Sequence, residues 1–476
     1  MRSVHELGAL DLAAEYASGS LSPVEVVDIY LERSSELGDG VGAFVRLTED
    51  LAHRQARASE ARWRDGEPLS PLDGVPVPIK DLNFVAGERA QLGSVAFDMV
   101  AEQDDNVVLA LKDAGTICTG ATNTPEFGLP CYTEPDPSIA APARSPWDVS
   151  RSAGGSSGGA AAAVAAGLAP IAQGSDGGGS IRIPASCCGL VGLKTSRGRV
   201  SNGPLRDAVG DLPVNGPLGR SVADVAALLD VMARAFPGDP YAAPAPATTF
   251  ASAAGSDPGR RRIGRYARPV ISDGAVDGEC LAAWEEASAA LTRAGHMIED
   301  IDPPFPIEAV AWFETVWSVL ACLTPIAPER EGDLQPLTRW LRERGRKVGG
   351  VELAQAISMM RLLARLAQSA TAGYDAVLTP ALAMPPPEVG WFTEVDPADN
   401  FDRQKGFTPF TAPYNVTGQP AIVVPWSLGS TGLPISVQLV GRMYDESSLL
   451  SLGSQLEVLR PASNLWRELR PAYGWS

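Results

Sequence analysis

The residues in this 476-residue chain whose types and spacing suit chemistry are Ser180, Ser156 and Lys80. Ser180 closes the run DGGGS at 176–180. Glycines leave backbone N–H groups unobstructed, so several can point into one hole. A hole of that kind beside a hydroxyl is what a developing oxyanion requires. A serine hydroxyl also needs a base, and lysine can serve when desolvation keeps it neutral. Lys80 stands in VPVPIKDL, at the end of a predicted short strand among apolar residues, where burial would favour the neutral amine. Arginine cannot take that part because it stays protonated, and the chain holds only five lysines, at 80, 112, 194, 347 and 405. Ser156 lies in a second glycine–serine run, GGSSGG at 154–159, and could relay a proton between Ser180 and Lys80.

Other chemistries find less support. The three histidines, His5, His53 and His296, stand beside no serine or cysteine pattern, so an ordinary Ser-His-Asp triad is not expected. There is no H-E-x-x-H motif and no Cys/His cluster at zinc spacing, so no metal and no cofactor is implied. GGSSG formally matches the G-x-S-x-G nucleophile elbow, but SPWDVSRSA before it reads as a poor strand, and only His296 follows. A glycine-rich loop opening a helix can hold phosphate, yet G-x-x-x-x-G-K-[ST] is missing. Either glycine run, taken alone, is explained as readily by close backbone packing.

The elements that must position these residues alternate between helix and strand, which predicts an α/β layered architecture. Residues 4–37 read as two helices, the second opened by a serine cap and Pro23. NVVLALKDAGTICTGATNTPEFG reads as a helix, a glycine stop, then strand and loop. AAAAVAAGLAPIA between the two glycine runs reads as a small-sided helix buried in the core. The Pro/Ala/Ser/Gly-rich stretch 237–259 reads as a long surface connection. After it come a strand (RRIGRYA), a helix with a glycine stop (CLAAWEEASAALTRAG) and another strand (HMIEDID). Residues 306–370 read as mostly helical, and YDAVLTPALA, PAIVVPWS and PISVQLVG as strands.

The stretch GGSSGGAAAAVAAGLAPIAQGSDGGGSIRIPASCCGLVGLK resembles the signature of the amidase signature family. LDGVPVPIKD, TGATNTPEFG, GPLGRSVADVAALLD, YDAVLTPALAMPPPEVG, GQPAIVVPW and LPISVQLVGR resemble further family stretches in the expected order. The resemblance implies an α/β fold with a central mixed, twisted sheet covered by helices on both faces. It implies one large domain over 1–476, in which 237–405 is a variable, largely helical region shaping the substrate pocket. It also implies a Ser–cis-Ser–Lys triad, with Ser180 as nucleophile, Ser156 as the bridging serine in a cis peptide and Lys80 as base. By the same resemblance Gly177, Gly178 and Gly179, with the Ser180 N–H, match the oxyanion hole, and Asp176 and Arg182 match positions bracing that loop. Gly177 departs from the threonine or isoleucine of many members.

For substrate, the run GSDGGGSIRIPASCCGL resembles the subgroup that includes 6-aminohexanoate cyclic-dimer hydrolases. Amidotransferase subunits of the family carry glutamine at the position of Ile183, and a malonamide-cleaving relative carries arginine. Isoleucine cannot pair a carboxylate, so a neutral, fairly apolar group is expected near that wall. Cys131 and Tyr132 match a loop that reaches the pocket in relatives. Trp312, Phe313, Trp317 and Cys322 fall on one predicted helix, where the aromatic group could line a substrate funnel or simply form helix core. The expected function is hydrolysis of a small-molecule amide or carbamate through an acyl-enzyme, with ester side activity. The alternatives are an amidotransferase subunit, against which Ile183 argues, and a non-catalytic binding protein, against which the intact Lys80, Ser156 and Ser180 argue.

The remaining composition narrows partners. A net charge of −18 disfavours nucleic acid and anionic membrane surfaces. The first residues show no apolar signal region and no segment is apolar enough to span a bilayer, so a cytoplasmic protein, monomeric or homodimeric, is expected. The six cysteines show no C-x-x-C pair and read as small buried hydrophobes.

Overall fold

Alternation along one strand shows how the molecule is layered. In Ala421–Leu428, Ile422, Val424 and Trp426 join one hydrophobic core, while Val423 between them joins another. Successive strand residues point to opposite faces, so a strand apolar throughout is covered on both sides. The first core also contains Leu228, Leu291 and Leu449, from the helices Val222–Met232, Gly278–Arg293 and Glu446–Leu459. The second contains the alanines of helix Gly158–Ala165 and Ile183 and Ala185 of helix Arg182–Cys187. These relations come from a computed structural model that describes residues 3–205 and 209–460.

The sheet between these layers has eight strands. Their spatial order is Met297–Asp300, Arg262–Arg265, Ala376–Pro380, Pro434–Gly441, Ala421–Leu428, Val191–Lys194, Val214–Gly219 and Ile171–Asp176. Arg262–Arg265 is parallel to both of its neighbours and the remaining pairs are antiparallel, so the sheet is mixed as expected. A separate three-stranded sheet places Gly120–Thr122 between Phe44–Leu47 and Ile79–Lys80. Lys80 pairs with Thr122 in parallel register there.

The helix between the two glycine runs is small-sided because backbones press on it. A Cβ at Gly159 would lie 2.3 Å from the Asn123 N and 2.5 Å from the Ala43 O. Every residue from Gly158 to Ala165 is buried. The helix Pro23–Val41 opens as its sequence predicts: Ser22 Oγ accepts from the Glu25 N–H (3.2 Å), and Glu25 Oε2 accepts from the Ser22 N–H (2.9 Å).

Three stretches differ from the expectation, the first being the end of AAAAVAAGLAPIA, where the helix stops at Ala165 and Ile171 and Ala172 already belong to the strand Ile171–Asp176. Within 237–259 a short helix, Phe250–Ala254, buries Phe250. Its first N–H groups are held by the Asp230 carboxylate (2.6 and 2.9 Å), a contact that local composition does not reveal. Asp148–Ser152, read as a poor strand, is one, paired with Arg144–Ser145. Its Asp, Ser and Arg side chains suit an exposed ladder and not a core strand. The segment 306–370 forms the helices Ala309–Leu323, Pro336–Gly345 and Gly350–Thr371, packed through Val316, Leu341 and Met360. Among the described residues, no helix is long and apolar enough to cross a membrane.

Candidate active site

Lys80 ends its two-residue strand fully buried. Its Nζ donates to Ser156 Oγ (2.8 Å), Ser157 Oγ (2.9 Å), Ser175 Oγ (3.1 Å) and the Ser175 carbonyl (3.5 Å). The amine is thus held in a cradle of four serine oxygens, three of them hydroxyls. Ser157 Oγ also donates to the Ser175 carbonyl (3.1 Å), which fixes the cradle to the main sheet.

Ser156 is held by its backbone. The Gly155–Ser156 peptide is cis. Gly155 has room for no side chain, since a Cβ there would lie 2.6 Å from the Tyr132 backbone. Thr133 Oγ1 donates to the Gly154 carbonyl (2.9 Å) and accepts from the Gly158 N–H (3.2 Å), bracing the loop from both sides. The Ser157 N–H donates to the Ser180 carbonyl at 3.0 Å, tying one glycine run directly to the other.

The second run turns around Asp176. The buried carboxylate accepts from the N–H groups of Gly179 (2.8 Å) and Ile181 (3.2 Å) and from Asn415 Nδ2 (2.9 Å). Arg182 meets it with a two-pronged pair, Nε and Nη2 each at 2.9 Å. The rest of the guanidinium donates to the Thr411 carbonyl, Gln438 Oε1 and Asn415 Oδ1. Burial alone would raise the Asp176 carboxyl, but Arg182, together with Lys194 and Asn415, holds it well below the usual carboxylate range. Lys194 is buried nearby, donates to the Thr195 carbonyl (2.8 Å), and is pushed well down by burial and by Arg182.

The three glycines are not equivalent. The Gly179 N–H is taken by Asp176, whereas among the described residues the N–H groups of Gly177, Gly178 and Ser180 have no partner. The three open donors are therefore Gly177, Gly178 and Ser180. Gly179 must be glycine, because its φ is +136° and a Cβ would lie 2.4 Å from Thr411 Oγ1.

Ser180 and Gly178 lie in a cleft with about 910 Å³ of empty space, open solvent at its mouth included. Of the candidate contacts, Cys131, Ile183 and Trp317 line it. Tyr132 does not: its ring stacks on Phe392 (4.7 Å between centroids) and its hydroxyl accepts from Asn400 (2.8 Å). Cys322 does not either, its thiol being turned to the Ser318 and Arg342 carbonyls (3.6 and 3.4 Å). The cleft walls are mainly apolar, with Val270, Phe305, Val310, Phe313 and Leu363 among them. The charged pair there, Glu314 and Lys405, neutralises itself at 2.7 Å.

His296 is occupied elsewhere, accepting from the Arg261 N–H (3.1 Å) and facing Gln455 (2.5 Å), so the G-x-S-x-G match has no histidine partner despite the strand before it. Among the described residues no group of three or more His, Cys, Asp or Glu side chains could hold a metal ion. Residues the sequence did not single out are Ser157, Ser175, Thr133, Thr411, Asn415 and Gln438. Ser157 sits inside the first glycine run and Ser175 just before the second, but serines so close to Ser156 and Ser180 are indistinguishable from them by type. Asn415 lies 239 positions from Asp176, with no local signal to join them.

Comparison with known proteins agrees with this architecture. The family model described as Amidase matches residues 25–450. A 6-aminohexanoate-cyclic-dimer hydrolase from Paenarthrobacter ureafaciens is 35% identical over 95% of this chain and 94% of its own length. An acylamidase from Rhodococcus erythropolis is 31% identical over 99% of this chain and 98% of its own length. The solved structure of a 6-aminohexanoate cyclic dimer hydrolase complexed with substrate superposes with a TM-score of 0.88 at 32% identity, covering 96% of this chain and 97% of that one.

Proposed function

The chain belongs to the amidase signature family, and from that premise we propose that it hydrolyses neutral, fairly apolar amides or carbamates through an acyl-enzyme on Ser180. The observation that carries this reading is the placement of Ser180 beside unpartnered backbone donors in an apolar cleft, with Ser156 bonded to a buried lysine. Ser180 Oγ attacks the substrate carbonyl carbon, and its proton passes through Ser156 Oγ to the neutral form of Lys80. The carbonyl oxygen gains the charge and accepts from the open N–H groups of Gly177, Gly178 and Ser180. Collapse breaks the C–N bond, and the amine leaves with the proton returned along the same path. Water, deprotonated through the same relay, then attacks the acyl ester and frees Ser180.

Neutral substrates fit because Ile183 and the aromatic wall offer nothing to a carboxylate, and Glu314 and Lys405 are already paired. Relatives named acylamidase and cyclic-dimer hydrolase support an amide without free charge at the scissile bond. Carbamates present the same carbonyl, and esters should react as a side activity because alkoxides leave more easily than amines.

A hydrolysis screen tests the proposal. Purified protein is offered anilides, cyclic amides, malonamate-type charged amides, aryl carbamates and nitrophenyl esters, with Ser180→Ala in parallel. Turnover of the neutral substrates by wild type alone is expected. Preference for a carboxylate-bearing amide by kcat/KM would overturn the substrate reading, and activity in Ser180→Ala would overturn the nucleophile.

A further inference from the structure

The three glycines of the turn are glycine for different reasons. Gly179 is required by its backbone conformation and by Thr411. Gly178 has ordinary clearance, its nearest neighbours being Phe313 at 3.7 Å and Ala412 at 3.9 Å from a built Cβ. Gly177 lies outside the left-handed region, so its backbone accepts any residue. A Cβ there would lie 3.2 Å from Cη2 and 3.4 Å from Cζ3 of Trp317, with the next atom, Pro213 Cγ, at 3.8 Å. The edge of one indole ring therefore occupies the space that a side chain at 177 would need.

That indole is half of a stacked aromatic pair. Trp317 stacks on Phe313 with centroids 5.2 Å apart and planes 18° apart. Both rings line the cleft together with Gly178, Ser180 and Ile183. The helix Ala309–Leu323 thus lays an aromatic ledge over the turn that presents the open N–H donors.

We propose that Trp317 is the specificity-determining residue of the cleft, and that its fit over Gly177 selects substrates carrying a planar, apolar substituent on the scissile carbonyl against branched ones. The inference rests on the proposed hydrolysis at Ser180 and adds which substituents pass. A flat ring slides along the Phe313–Trp317 ledge with its face in contact. A tetrahedral, branched group at the same place meets the indole, whose Cη2–Cζ3 edge already abuts the Gly177 turn and leaves it little room to yield. Bulk at 177 and bulk at 317 compete for one volume, so the two positions must be coupled.

The test compares kcat/KM for benzoyl and pivaloyl anilides, and for the anilide and tert-butylamide of one acyl group, in wild type, Trp317→Ala, Gly177→Val and the double variant. Trp317→Ala should shift the planar-to-branched ratio toward the branched substrate by about tenfold or more in at least one series, the scale set by a few methylenes in a shaped pocket. Gly177→Val alone should lose activity on every substrate, and Trp317→Ala should restore part of it, so the double variant is better than additive. Trp317→Phe keeps the stack and trims the edge. It should shift the ratio in the same direction by less, and it serves where Trp317→Ala fails to fold. Unchanged ratios in both series, or strictly additive effects, would overturn the inference. A Ser180→Ala control separates the two claims: if it is inactive while the ratios do not move, only the role of Trp317 falls.

Discussion

Replacing Asp176 by asparagine probes how the turn that carries Ser180 is held. Each Asp176 oxygen accepts from several donors: Oδ1 from the Gly179 N–H, Arg182 Nη2 and Asn415 Nδ2, and Oδ2 from the Ile181 N–H and Arg182 Nε. An amide NH2 at either position turns a donor toward donors, and the buried Arg182 loses its counter-charge. Removing one partner of a buried pair costs about 3–5 kcal/mol, because the other is left uncompensated. Native proteins have only about 5–15 kcal/mol to lose. Asp176→Asn is therefore expected to unfold at markedly lower urea, and to lose activity because the 177–180 donors shift. The pH dependence follows from the same pair. The folded carboxyl of Asp176 is held below its unfolded value, so its stabilisation is complete above the ordinary carboxylate pKa, about 3.9, and is lost as pH falls toward the folded value. Wild type should lose stability on acidification through that window, and Asp176→Asn should lack this component. Urea melts from pH 7 to pH 2 on both proteins measure it. A variant within about 1 kcal/mol of wild type, with unaltered kcat, would refute the reasoning.

Other expectations follow from the same geometry. Lys80→Arg places a permanent cation beside Ser156 that cannot accept a proton, and kcat should fall by about 10²-fold or more with the fold intact by circular dichroism. Gly179→Ala forces a Cβ to 2.4 Å from Thr411 Oγ1 at a φ of +136°; it should cost about 1–3 kcal/mol by thermal melting and lower kcat more than it raises KM.

Much of the site could be read from residue types. Lys80 stood out because lysine is scarce in this chain and arginine cannot be a base, and the structure joins it to Ser156. What composition could not reveal was which groups were already spent. Gly179 reads like its neighbours, yet its N–H belongs to Asp176. Tyr132 and Cys322 carried types suited to a pocket, but whether a side chain faces inward depends on Phe392, far away in the chain from Tyr132, and on the Ser318 and Arg342 carbonyls that take the Cys322 thiol. In the mixed sheet Ala376–Pro380, Ala421–Leu428 and Pro434–Gly441 were legible because buried strands are apolar runs; Ile171–Asp176 and Val214–Gly219 were not, being broken by glycine and polar residues, nor was the four-residue Val191–Lys194, and Asp148–Ser152 has an exposed ladder and no apolar signature. The Phe250–Ala254 helix escaped because Asp230, on another element, anchors it.

The most direct test of the central claim is to trap the acyl-enzyme. The protein is mixed with an aryl carbamate whose carbamoyl intermediate turns over slowly, quenched in acid, digested and mapped by mass spectrometry. The account predicts one stoichiometric carbamoyl group on Ser180, lost in Ser180→Ala and formed far more slowly in Lys80→Met. A label on Ser156 or on a cysteine, or turnover in Ser180→Ala with no covalent species, would contradict it.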